Sequence, residues 1–96
     1  MLFQVRTYRV KDGAMDEFVA LFRDFIVPAR EALGFRVVGA WNDPAEGTFV
    51  WVVGHPAPDG WEACERAYYE SPERAAIPKE PGSLLDSVDT RVLQPV

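Results

Sequence analysis

One cysteine and one histidine are all that the 96 residues offer of the side chains that most often carry metal or nucleophilic chemistry. A lone Cys64 cannot close an internal disulfide, and a zinc site would want several Cys or His ligands. Bases are scarce as well. Ten Lys and Arg stand against fifteen Asp and Glu, a net charge of −5, which disfavours nucleic acid or an anionic membrane as partner, since both need a basic face. No uncharged apolar run approaches the ~20 residues that a helical membrane span requires. Neither G-x-G-x-x-G nor G-x-x-x-x-G-K occurs, so no phosphate-cradling loop is present and no nucleotide cofactor is expected. Ser71, Ser83 and Ser87 lack the G-x-S-x-G context of a nucleophile elbow. No charged segment leading into a short apolar one opens the sequence, and together with the single thiol this makes a reduced cytoplasm the expected compartment.

What the chain does hold is apolar and aromatic. Hydrophobic residues make up 48% of it, enough for a core and too many for disorder, while the length suits one domain over residues 1–96. Leu2 to Val10 interleaves apolar with polar residues as a strand does, and Lys11-Asp12-Gly13 supplies a turn. From Met15 to Leu33 the period changes to 3.6. Met15, Phe18, Leu21, Phe22, Phe25, Ile26, Ala29 and Leu33 share one face, opposite Asp16, Glu17, Arg23, Asp24, Arg30 and Glu31. Pro28 inside this helix removes a hydrogen bond to the Asp24 carbonyl and predicts a kink, with Gly34 closing the helix.

Phe35–Asn42 and Thr48–His55 read as strands joined by the Asp43-Pro44-Ala45-Glu46-Gly47 turn. Asp59, with Glu62 three residues on, has the form of a capping box for a second helix whose stripe is Trp61, Cys64, Ala67 and Tyr68. Ser71-Pro72 starts a helical turn, and Ser87 to Leu93 alternates as a last strand. The order β-α-β-β-α-β is that of a ferredoxin-like α+β sandwich, an antiparallel sheet with both helices on one face and strands one and three central. A sheet with one wet face should alternate apolar and polar residues. Here Phe49, Trp51 and Val53 oppose Val50 and Val52, so the helix-free face is expected to meet a second copy, giving a homodimeric α+β barrel.

Those segments resemble a known family. The run Arg6-Thr7-Tyr8-Arg9-Val10-Lys11-Asp12-Gly13, the amphipathic helix through Pro28, GFRVVGAWND, TFVWVVGHP and AYYESPE, in that order, look like the NIPSNAP family of the dimeric α+β barrel superfamily. The resemblance spans nearly the whole chain. The sequence departs from bacterial members at His55, where they carry an aromatic, and at Glu70-Ser71-Pro72, where Gly-Gly-Pro is common. Membership implies a cytoplasmic homodimer whose sheets close a barrel. The wider superfamily includes cofactor-free monooxygenases, isomerases and haem-degrading enzymes, among which a shared fold does not carry a shared reaction.

Four groups are candidates for chemistry. His55 at a strand end is either a general base or a rim histidine bonded to backbone, and antiparallel pairing points to Gln4 and Arg6 as its neighbours. Arg6 and Tyr8 share a face of a central strand, where unpaired burial is costly. They orient a ligand or they pair within the protein. Trp51 and Tyr69, with Trp41, Trp61 and Tyr68, either wall a pocket for a flat apolar ligand or belong to the core. Cys64 lies on the apolar stripe and reads as an inert thiol. The functional expectation is therefore a small-molecule pocket with His55 as proton acceptor and Arg6, Tyr8, Trp51 and Tyr69 as ligand contacts. Its alternative is a structural or interaction module without catalysis, so enzyme status stays open.

Overall fold

A computed structural model describes residues 1–96. The elements run β1 (Leu2–Val10), α1 (Met15–Leu21), a π-helical segment (Phe22–Ile26), α2 (Val27–Ala32), β2 (Arg36–Asp43), β3 (Thr48–His55), α3 (Trp61–Tyr69), α4 (Pro72–Ala75), a 3₁₀ turn (Pro81–Leu84) and β4 (Leu85–Leu93). The strands form one antiparallel sheet in the order β2-β3-β1-β4, with the two most apolar strands central. This is the ferredoxin-like order. Register pairs Tyr8 with Phe49, Arg6 with Trp51, Gln4 with Val53 and Leu2 with His55. Residues paired across an antiparallel ladder share a face, so these eight side chains all point to the helical layer.

The core lies between that face and the helices. Phe18 and Phe22 reach down from α1 and the π segment to meet Phe49 edge-on at 5.0 and 4.9 Å between ring centroids, and Phe22 meets Trp51 at 5.0 Å. Edge-to-face contacts of this kind add to the burial of each ring. The opposite face carries Phe3, Val5, Val50 and Val52, all half-buried, beside an exposed Trp41. Apolar residues thus occupy both faces of the central strands.

Two helical details differ from what the spacing predicts, and one cause explains the first. Pro28 does not sit in a regular α-helical run. The chain passes into a π-helical turn just before it, with the Val27 amide reaching Phe22 O five residues back, and Pro28 then sits in the first turn of α2, where its missing N–H is not needed. A π turn advances less per residue than an α turn, so everything after it is rotated back. Phe25, expected in the core, is therefore exposed, and Arg30, expected in solvent, is 1% exposed in the interior. Secondly, Asp59 does not cap α3. Gly60 is the N-cap with φ +92, no side chain bonds the free amides, and Ala67 faces solvent. Ser71 does cap α4, its Oγ accepting from Arg74 N at 3.1 Å. Gly34, at φ +86, ends α2 in a conformation that a side chain would strain.

Candidate functional site

β1 runs through the middle of the sheet and sends Gln4, Arg6 and Tyr8 up into the helical layer, all buried. Arg6 is held on every side. Its Nε donates to Tyr8 Oη at 2.7 Å, Nη1 to Gln4 Oε1 at 2.6 Å and to Glu65 Oε2 at 3.3 Å, and Nη2 to Tyr69 Oη at 3.2 Å. Burial alone would lower its pKa. The phenols of Tyr8 and Tyr69 and the carboxylate of Glu65 outweigh that and raise it, so the guanidinium stays charged.

Glu65 reaches down from α3 and is shared. Its other oxygen accepts a short bond from Arg30 Nη1, delivered by the π turn. Arg30 is otherwise stacked rather than hydrogen-bonded: its guanidinium carbon lies 3.8 Å from the Tyr68 ring centroid and 4.7 Å from that of Phe35. Its Nε has no partner, nor does the buried indole nitrogen of Trp51. Burial pushes the Tyr68 phenol up against the opposing pull of Arg30, which keeps it a neutral donor.

A cleft of about 240 Å³ opens onto this cluster. Arg6, Tyr8 and Trp51 form its floor, Arg30, Ile26, Tyr68 and Tyr69 its helical wall, and Leu85 and Val88 of β4 its other side. At the lip Arg74 lies 5.4 Å over Tyr69 and donates to Glu80 at 2.8 Å, which lowers the Glu80 pKa. Other depressions in the surface reach no buried charged side chain.

The structure thus brings Arg6, Tyr8, Trp51 and Tyr69 to one cleft and leaves His55 outside it. The expectation that Gln4 and Arg6 neighbour His55 is corrected by the register: its partner is Leu2, and Arg6 lies two pairs further along the face. Both imidazole nitrogens are engaged by backbone. Nδ1 accepts from Ala57 N at 2.9 Å and Nε2 lies 3.2 Å from Leu33 O, so the ring carries its proton on Nε2. It lies tilted against Phe35 at 4.6 Å between ring centroids and ties the turn after β3, where Ala57 has a φ of +45, to the end of α2. Sequence reasoning missed Arg30 and Glu65. Arg30 was assigned to a solvated helix face and Glu65 was given no role, and only the unpredicted π turn makes Arg30 an interior group.

The fold and site can now be set beside known proteins. Residues 3–96 match the NIPSNAP family model, and the chain belongs to that family. A crystal structure of an uncharacterized NIPSNAP domain protein from Burkholderia xenovorans is similar with a TM-score of 0.82 at 20% identity, covering 100% of this chain and 95% of that one. A NIPSNAP family protein of unknown function from Agrobacterium tumefaciens gives 0.81 at 16%, covering 99% and 87%. An antibiotic biosynthesis monooxygenase gives 0.74 at 15%, covering 100% and 99%, a likeness of fold alone. No curated protein matches the chain.

Proposed function

We propose that this NIPSNAP protein binds a small, flat, mainly apolar molecule in the cleft above Arg6 and Trp51, and does so as a homodimer joined through the open sheet face. One observation carries the binding reading: two guanidinium groups, Arg6 and Arg30, are buried around a single carboxylate at a cleft whose other inner walls are aromatic and aliphatic. Burying such a set costs several kcal/mol per ion before pairing offsets it, and a core built only for stability gains more from apolar residues of the same volume. Placed polar groups in an apolar recess are what orient a ligand.

Cofactor-independent oxygenase or isomerase chemistry is a further step, and the cleft is equipped less well for it. Its phenols are donors, Glu80 at the lip is paired with Arg74, and Glu65 is clamped by two arginines. Binding without turnover is the simpler reading. The alternative, an interaction module, draws support from the exposed Trp41 and Val38 on the open face.

Saturation-transfer NMR with small aromatic fragments tests the site. Val88→Trp, at the half-exposed edge of the cleft, should block it and abolish transfer without unfolding the chain. Transfer that persists unchanged in this variant overturns the assignment. A monomer by sedimentation at micromolar concentration would overturn the dimer.

A further inference from the structure

The hydrogen-bonding inventory of the cleft is one-sided. Around the two buried arginines the acceptors are taken: Gln4 Oε1 and the hydroxyl oxygens of Tyr8 and Tyr69 by Arg6, and the two Glu65 oxygens by Arg6 and Arg30, while at the lip Glu80 Oε1 accepts from Arg74. Donors are left over. Arg30 spends one of its five N–H groups on a hydrogen bond, its Nε is buried without a partner, and the same holds for Trp51 Nε1. The Tyr8 and Tyr69 hydroxyls, accepting from Arg6, keep their own hydrogens to give. Charge points the same way. Two buried cations and one carboxylate sum to +1, while Arg74 at the lip is neutralised by Glu80. This is a local positive site in a chain of net charge −5.

Resting on the binding reading above, we infer that the ligand is a small monocarboxylate bearing a flat apolar group. Its carboxylate turns to Arg6 on the floor and Arg30 on the wall, supplying acceptors and a negative charge to balance the two cations. Its flat group lies against Trp51, Leu85 and Val88. A planar carboxylate matches the fork of a guanidinium better than any neutral acceptor does. Size sets a limit as well: a cleft of about 240 Å³ suits a one-ring acid and not a larger ligand.

Benzoate and benzamide have nearly the same shape and differ in charge, so titrating both into the unmodified protein, by calorimetry and by ¹⁵N NMR, separates the possibilities. Benzoate should bind at least ten-fold more tightly than benzamide and move one of the three indole N–H signals, the one lost in Trp51→Phe. Equal or tighter binding of benzamide overturns the inference and leaves the binding reading standing. Failure of both, with no neutral aromatic fragment taking their place, overturns the two together. Glu65→Gln gives a second test in which the protein's own carboxylate is removed. Benzoate should raise the melting temperature of this variant by more than it raises that of the parent, and a smaller rise counts against the inference.

Discussion

Arg30 shows how far one residue's surroundings depend on a neighbour's backbone. By spacing alone it belongs with Asp24 and Glu31 in water, yet it is among the most buried side chains in the molecule. His55 teaches the converse. It is the residue whose chemistry invites a catalytic role, and its two nitrogens are spent on Ala57 and Leu33. Replacing His55 with Ala should cost about 1–3 kcal/mol, because a backbone amide and a carbonyl in a half-buried turn lose their partners. Urea unfolding would read this, and ligand uptake in the cleft should not change. Cys64 gives a dependence on pH. Burial raises its pKa, helped by Glu65, so the fold favours the neutral thiol. The sign follows: this contribution is fully present below the ordinary thiol range and is lost as pH rises through that range towards the folded value. Comparing urea midpoints of the parent and Cys64→Ala should show the parent losing more stability above pH ~8.5.

At the scale of elements, much was legible before any coordinates. The bounds of β1 follow from alternation, those of β3 from its apolar and β-branched run, and both from the turns at Lys11–Gly13 and Asp43–Gly47, where local chemistry and tertiary packing agree. What could not be read was the π turn, because a proline announces that a hydrogen bond is missing without saying how the helix absorbs the loss. Four of the cleft's members, Arg6, Tyr8, Trp51 and Tyr69, were visible as types on recognisable elements. Glu65 and Arg30 were not, since their burial depends on that turn and on the way α3 lies over the sheet. A π turn is in effect one extra residue in a helix. Deleting exposed Asp24 should therefore leave Phe22 and Arg30 facing the core, and should lower the melting temperature far less than deleting Ala20 from α1, which turns every later side chain by one helical step. Thermal unfolding followed by circular dichroism distinguishes the two deletions.

For the molecule as a whole, both faces of the sheet are apolar, but only one is covered by its own helices. Val5, Val50 and Val52 lie half-buried at the centre of the other face, flanked by Trp41 at 59% exposure. This is the face on which the proposed second copy would sit. Gly39 bears on it directly: a Cβ there would stand 2.7 Å from the Trp41 ring, so a side chain at that position would force the indole to move. The three indoles are divided unequally, with Trp51 and Trp61 inside and Trp41 outside. The protein consequently carries its own optical gauge of whether that face is occupied. Iodide should quench the Trp41 emission in dilute solution, where copies are apart, and lose its access as concentration rises and they associate. Val52→Lys should hold the gauge in its quenched reading at every concentration, and a parent protein whose quenching never varied while its sedimenting mass doubled would show that the second copy settles elsewhere.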